Sequence, residues 1–124
     1  MMSVRGIRGA ITVEANEKEQ MLQATLELLN EIVKQNAIDP SDIGSVFITV
    51  TQDLDDTFPA IAIRQMAGWD LVPLMCALEV PVKGSLERCI RFMIHYNTDK
   101  SQAEINHVYL AGARVLRPDL SKKS

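Results

Sequence analysis

Cysteine is scarce in this chain of 124 residues: Cys76 and Cys89 are its only two, and their spacing matches neither a metal site nor a redox motif. Long apolar runs are missing too, since no stretch approaches the roughly 18 apolar residues of a membrane-spanning helix. The net charge of −3 leaves no broad basic field for nucleic acid. We therefore expect a soluble, cytoplasmic protein with free thiols and with no nucleic-acid or membrane partner.

The sequence also has little of what common catalytic sites need. The two glycines of "RGIRGA" (Arg5 to Ala10) lie three apart inside a predicted strand, so they do not form a phosphate loop. His95 and His107 have no carboxylate or cysteine at metal-binding spacing, and no histidine lies near Cys76 in sequence to activate it. The acidic residues from 53 to 56 lack the pattern of a calcium loop, and we assign them to a turn and to helix N-terminal charge. We expect no metal site.

Apolar periodicity predicts seven helices and strands within a single domain over residues 1–120, followed by a flexible tail over residues 121–124. The predicted long helix begins at a capping pair of Asn16 and Glu19 and ends near Asn36. The short helix begins at Pro59 and ends near Gly68. The predicted strands are Val4 to Val13, Gly44 to Thr51, Val72 to Cys76, Ser85 to Tyr96 and His107 to Leu110.

This order predicts an α+β fold, a mixed sheet of about five strands packed by the long and the short helix. One long helix covers only one face of such a sheet, and an apolar sheet face must be buried against another layer. The opposite face carries Arg8 and Arg91. We therefore expect that face to be buried against copies of the same chain, in a homo-oligomer.

Arg91 is the most unusual feature of the predicted sheet, because it lies mid-strand between Cys89 and Met93, residue types that are often buried. A guanidinium in that position needs an anionic partner. Arg8 rises from a strand face of small residues, which leaves room for a ligand. Together with three further residues, these arginines suit a small ligand that has more than one carboxylate. The further residues are Glu79, Tyr109 and Arg117.

Five segments, taken in order and spacing, resemble the monofunctional bacterial chorismate mutases of the pseudo-α/β-barrel class. They are "RGIRGAITVE" (Arg5 to Glu14), "FPAIAIRQMAGW" (Phe58 to Trp69), "VPLMCALEV" (Val72 to Val80), "CIRFMIHYNTD" (Cys89 to Asp99) and "HVYLAGARVLRPDL" (His107 to Leu120). The resemblance implies a homotrimeric pseudo-α/β barrel with sites at subunit interfaces. It also implies conversion of chorismate to prephenate, on the shikimate route to phenylalanine and tyrosine, without a cofactor.

The resemblance also implies a role for each matching residue. Arg91 and Arg8 would hold the enolpyruvyl side of chorismate, and Arg91 would also donate to the ether oxygen. Glu79 would accept from the ring hydroxyl and favour positive charge that develops on the ring. Tyr109 would fix a carboxylate, and Cys76 would lie close to the ring hydroxyl. The residues implied at the mouth of the cleft are Phe58, Arg64, Leu116 and Arg117.

Two positions depart from some relatives: Ile61 stands where these carry a charged residue, and Met75 replaces a smaller one. We expect both to affect substrate affinity rather than chemistry. Two other functions remain open at this point. A trimeric imine deaminase of similar fold would explain a lone inward arginine, but not Glu79 with paired Arg8 and Arg91. A non-catalytic sensor of an aromatic-pathway carboxylic acid would need the arginines that hold carboxylates, but not a donor to the ether oxygen.

Overall fold

Five strands, two α-helices and three short 3₁₀ helices follow one another in the computed structural model of this chain, which describes residues 2–116. The predicted order of helices and strands is confirmed. The strands are β1 (Ser3–Thr12), β2 (Ile43–Val50), β3 (Leu74–Leu78), β4 (Cys89–Thr98) and β5 (Val108–Leu110), and the helices are α1 (Lys18–Asn36) and α2 (Ala60–Arg64). The 3₁₀ helices span Pro40–Asp42, Gln102–Glu104 and Ala111–Val115.

The strands form one mixed sheet in the order β3-β2-β4-β1-β5. The long strand β4 lies at its centre and pairs antiparallel with β1 and β2, whereas the edge strands β5 and β3 run parallel to β1 and β2. The predicted α+β class and mixed five-stranded sheet are therefore confirmed. No helix among residues 2–116 has the length and apolar character needed to cross a membrane.

Helix α1 packs on one face of this sheet because its apolar residues recur at helical spacing. Its side chains Met21, Leu28, Leu29 and Ile32 are fully buried. Gly9 of β1 allows the helix to approach closely, since a β carbon at that position would lie 2.6 Å from Cδ1 of Ile32. The main core thus lies between this face of the sheet and the two helices.

The other face of the sheet has no α-helix over it within the described part of the chain, and only the 3₁₀ helix Ala111–Val115 packs against its β1 and β5 side. We call it the open face. The alternation of strand side chains puts Arg8, Arg91 and Met93 there, as the period-two pattern predicted. Phe47 and Met75 also lie on this face, with 44% and 61% of their surfaces exposed. The open face is therefore partly apolar and carries two cations.

Several local predictions were wrong: α2 ends at Arg64 and not near Gly68, and β3 lies two residues later than predicted. A further error concerns the start of α1. The first turn of α1 is capped by Glu17, whose carboxylate accepts from the backbone N–H of Glu19. Asn16 instead bonds Asp55 through both its amide and its carbonyl oxygen. The acidic loop does serve a helix N-terminus, since the Asp56 carboxylate accepts from the Lys18 N–H at 2.7 Å.

The start of the fourth strand was also predicted too early. Residues 85–88 are not part of it, and β4 begins at Cys89. Arg88 adopts a left-handed backbone with φ of 48°, and its N–H donates to both carboxylate oxygens of Asp53 at 3.0 and 3.2 Å. This turn ends the loop before the strand and sets the face on which Arg91 emerges.

The expected tail over residues 121–124 lies outside the described residues.

Candidate active site

A cleft of about 410 Å³ opens on the open face, over the middle of the sheet. It is built on one row of residues that runs across the five strands in register: Ala77, Thr49, Arg91, Ala10 and Tyr109. Small residues in this row leave space above the sheet, and Arg91 lies at its centre. Arg8, Glu79 and Leu116 also line the cleft.

Arg91 has the anionic partner that its position demands. Its Nε atom lies 3.5 Å from Oε1 of Glu79, and the two side chains are 39% and 23% exposed. The geometry is that of an ion pair and falls short of a hydrogen bond, so Nε of Arg91 is buried without a hydrogen-bond partner among the described residues. A buried donor of this kind is costly unless a ligand accepts from it.

The carboxylate of Glu79 is held by β2, the strand between Glu79 and Arg91. Glu79 follows β3 and continues its pairing, since its N–H donates to the carbonyl of Val50 at 2.9 Å. The hydroxyl of Thr49 donates to Oε1 of Glu79, also at 2.9 Å. Thr49 was not among the site residues that the sequence predicted. The sequence feature that could have identified Thr49 is the alternation within the second predicted strand, which puts Thr49 on the same face as Phe47.

Arg8 provides the second cation of the cleft and lies on the exposed side of β1. Its backbone is fixed by His107, whose Nδ1 accepts from the Arg8 N–H at 2.9 Å. Gly6 and Ala10 flank it on the same face, as predicted. The cleft therefore contains two guanidinium groups and one carboxylate among its described residues, a balance that favours an anionic ligand.

Tyr109 lines the cleft from β5 and is held in place by the loop before it. The side chain of Asn36 at the end of α1 donates to the Asn106 carbonyl at 2.9 Å and accepts from the Asn106 N–H at 2.9 Å. These paired bonds fix the chain just before β5. Tyr109 itself is 5% exposed and packs with Ala10, Cys89 and Ala113. Its position is therefore set by both the helix and the sheet.

Cys89 does not line the cleft; it packs with Ala10, Tyr109 and Ala113 and is fully buried. Burial raises the pKa of its thiol above the ordinary value, and this effect outweighs the opposing influence of the nearby Arg91 charge. The thiol therefore stays neutral and unreactive in the folded protein. Both cysteines are free, as predicted.

The chain matches the family model of type I chorismate mutases over residues 4–120. The chain belongs to the type I chorismate mutase family. This finding confirms the resemblance carried by the five sequence segments. It also assigns the chain to the isomerases that act on chorismate, and it disfavours the imine deaminase alternative.

Similar proteins support the same family over nearly the whole chain. The chorismate mutase AroH of Bacillus subtilis (strain 168) is 47% identical over 120 residues, which cover 97% of this chain and 94% of that protein. The chorismate mutase AroH of Thermus thermophilus is 52% identical over 118 residues, covering 94% and 96% respectively. A solved chorismate mutase from Clostridium thermocellum is 51% identical and superposes with a TM-score of 0.86, covering 89% of this chain and 97% of that one.

Not every predicted site residue of this family member lies in the cleft of one chain. Cys76 pairs with Ile48 and packs against the main core, on the face of the sheet opposite to Glu79. Its predicted contact with a ring hydroxyl stays a prediction. Phe58 and Arg64 are exposed beside and within α2, the helix that packs with α1, and neither lines the cleft. Arg117 lies outside the described residues.

The two positions that depart from some relatives also lie outside the cleft lining. Ile61 is half-buried in α2, whereas Met75 is exposed on the open face next to Phe47. Among residues 2–116, histidine, cysteine and acidic side chains form no group of three or more that could hold a metal ion.

Proposed function

We propose that this chain converts chorismate to prephenate in the cleft around Arg91, as a step of aromatic amino acid biosynthesis. The observation that carries the assignment of the site is the buried Nε of Arg91. This donor has no hydrogen-bond partner among the described residues, and it faces a cleft that also contains Arg8 and Glu79. Chorismate brings two carboxylates and an ether oxygen, which are acceptors that two guanidinium groups can bind.

The reaction explains why no nucleophile or general base is needed. A Claisen-type rearrangement breaks one carbon–oxygen bond and forms one carbon–carbon bond within a single molecule, so no proton and no electron pair passes to the protein. Rate enhancement must come from holding the compact conformer and from interactions that strengthen in the transition state. The cleft is suited to both tasks, because Arg8 and Arg91 lie on strands of one sheet and Glu79 directly follows another strand.

Arg91 and Glu79 would stabilise opposite charges as the bond breaks. Negative charge grows on the ether oxygen, where the guanidinium of Arg91 would donate, and positive charge grows on the ring, near the Glu79 carboxylate. Preorganised charges of this kind supply most of the rate enhancement in many enzymes, since they need no rearrangement during the reaction. The 3.5 Å ion pair supports the assignment, because it fixes the two groups relative to one another.

Arg8, Tyr109 and Leu116 would bind and enclose the substrate. Arg8 is exposed on the open face and can pair with a carboxylate in the planar geometry that guanidinium groups favour. Tyr109 would fix a carboxylate beside it. Leu116 lies at the edge of the cleft and would cover its mouth, and Arg117 next in sequence would help close it.

We further propose a homotrimer in which Phe58 and Arg64 of one chain complete the cleft of a neighbour. Both are exposed, Phe58 with 67% of its surface, and neither lines the cleft of its own chain. The apolar side chains Phe47 and Met75 on the open face would be covered in such an assembly. Closed rings of identical subunits bury surfaces of this kind.

Two further assignments complete the proposal. We place the protein in the cytoplasm, supported by its two free thiols. We also propose that residues 1–120 form one domain, supported by the family match over residues 4–120.

The decisive experiment is to follow the loss of chorismate ultraviolet absorbance with purified protein and to identify prephenate as the product. Arg91→Ala is the test variant. Arg5→Ala is the matched control, because Arg5 lies on β1 with its side chain bonded to the Lys100 carbonyl, away from the cleft. We expect rapid conversion by the parent and by Arg5→Ala, and little by Arg91→Ala. Folded parent protein that gives no rate above the spontaneous one would contradict catalysis and would favour a sensor that only binds chorismate.

A further inference from the structure

Oε1 of Glu79, the residue that follows β3, is contacted by side chains from β2 and β4. The hydroxyl of Thr49 donates to this oxygen at 2.9 Å, and Nε of Arg91 faces the same oxygen at 3.5 Å. Thr49 lies directly opposite Arg91 in the antiparallel register of β2 and β4, and it pairs with Ala77 of β3 on its other side. It therefore lies between the two charged groups of the cleft.

The two contacts of Oε1 differ in kind. The bond from Thr49 meets the distance and direction of a hydrogen bond, whereas Nε of Arg91 makes no hydrogen bond among the described residues. A carboxylate and a guanidinium that meet freely favour a two-bonded fork, in which each group satisfies the other. The cleft does not show that fork among the described residues: Oε1 of Glu79 accepts its hydrogen bond from the hydroxyl of Thr49, and Nε of Arg91 stays 3.5 Å from the same oxygen.

We infer that Thr49 is a positioning residue for the rearrangement: its hydroxyl holds Oε1 of Glu79, keeps the carboxylate from closing onto Arg91, and leaves Oε2 for the substrate. This inference rests on the proposed function of the same cleft. The proposed role explains why a residue with a hydroxyl group, Thr49, lies between the apolar Ile48 and Val50 at the end of β2. Thr49 also suits the strand through its branched β carbon.

Loss of the hydroxyl should affect the reaction more than substrate binding. In Thr49→Val the carboxylate has no donor to hold Oε1, so it can rotate toward Arg91 and occupy the donor that the ether oxygen needs. We expect kcat to fall about 10-fold or more, as for the loss of a hydrogen bond to a charged group, while KM changes less. Thr49→Ser keeps the hydroxyl and should recover most of the lost kcat.

The experiment measures kcat, KM and thermal unfolding for Thr49→Val, Thr49→Ser and Glu79→Gln. Thr98→Val is the matched control, since it removes a threonine hydroxyl at the end of β4 that accepts from the nearby Lys100 N–H. We expect unchanged kinetics in that control and a similar unfolding temperature in both valine variants. A structural role alone would lower the unfolding temperature of Thr49→Val without the selective loss of kcat.

Three outcomes would overturn the inference. Thr49→Val with kcat close to that of the parent, while Glu79→Gln is strongly impaired, would reject Thr49 and leave the proposed function intact. An equal loss in Thr49→Ser and Thr49→Val would show that the hydroxyl is not the active feature. Full activity of Glu79→Gln would show that the Glu79 carboxylate is not needed for catalysis. It would reject both the proposed role of Glu79 and the inference about Thr49.

Discussion

Arg91 and Glu79 come from parts of the sheet that do not pair with each other, yet Nε of Arg91 lies 3.5 Å from Oε1 of Glu79. Strand β2 separates β3 from β4, and the two side chains meet above it on the open face. The long side chain of Arg91 spans that distance, whereas Glu79 is placed by the continued pairing of its N–H with Val50. This pair is the basis of the first prediction.

Replacing Arg91 should impair catalysis even when the positive charge is kept. Arg91→Ala is expected to lower kcat by at least ~100-fold, because loss of one preorganised donor costs about 3–4 kcal/mol of transition-state stabilisation. Arg91→Lys should also be poor, since an ammonium cannot point one donor at Glu79 and others at the substrate in the same plane. Steady-state kinetics on chorismate test both, and a lysine variant with near-normal kcat would reject the proposed role.

Hybrid oligomers should reveal which chain completes the cleft. If Arg64 serves a neighbouring chain, a co-expressed mixture of Arg64→Ala and Arg91→Ala subunits in random trimers leaves about a quarter of the clefts intact. We therefore expect kcat/KM of the mixture to exceed the mean of the two separate variants.

The matched control for this experiment is a mixture of Glu79→Gln and Arg91→Ala. Both residues line the cleft of the same chain, so every cleft in that mixture keeps one defect. Sedimentation of the parent should show a trimer. A stable monomer with full activity would contradict the interface site, and so would equal recovery in the two mixtures.

Gly9→Ala should destabilise the fold. Its β carbon would lie 2.6 Å from Cδ1 of Ile32 and 3.3 Å from Cδ1 of Leu28, so α1 must shift or repack. Overpacking of this kind costs about 1–3 kcal/mol. Gly6→Ala on the same strand is the control, since its nearest contact is Sδ of the flexible Met93 at 3.4 Å. Urea unfolding at equal protein concentration should show the larger loss for Gly9→Ala, and equal losses would contradict the close approach of helix and sheet.

The Cys89 thiol should resist modification until the protein unfolds. Burial raises its pKa above the ordinary value of 9.0, so the folded state holds the proton more tightly than the unfolded chain does. Its contribution to stability is therefore complete below about pH 9 and is lost as pH rises toward the folded pKa. Cys89→Ala should lose less stability over that alkaline range than the parent.

Alkylation followed by peptide mass spectrometry provides the direct check on Cys89. We expect no labelling of Cys89 in the folded protein and ready labelling in urea, whereas the half-buried Cys76 acts as an internal comparison. Labelling of Cys89 at the same rate in folded and unfolded protein would contradict its burial.

Period-two and helical patterns predicted the faces of β1 and β4, the apolar face of α1 and the order of the elements, because each depends on residues close in sequence. The errors arose where a segment is held by hydrogen bonds to residues that are distant in sequence. The backbone of Arg88 is fixed by Asp53, which delays the start of β4, and the Asn16 side chain is taken up by Asp55 rather than by α1. Thr49 was missed because a threonine in a strand usually has no role beyond packing.

The family, the reaction and the arginine at its centre follow from the sequence alone, since ordered segments and strand alternation are properties of the chain. Which groups meet follows only from the folded sheet. The register of four strand pairs brings Ala77, Thr49, Arg91, Ala10 and Tyr109 into one row, and the extension of β3 places Glu79 above it. The fold also separates Cys76, Phe58 and Arg64 from that row, because alternation sends Cys76 to the core face and α2 packs on the far side of the sheet.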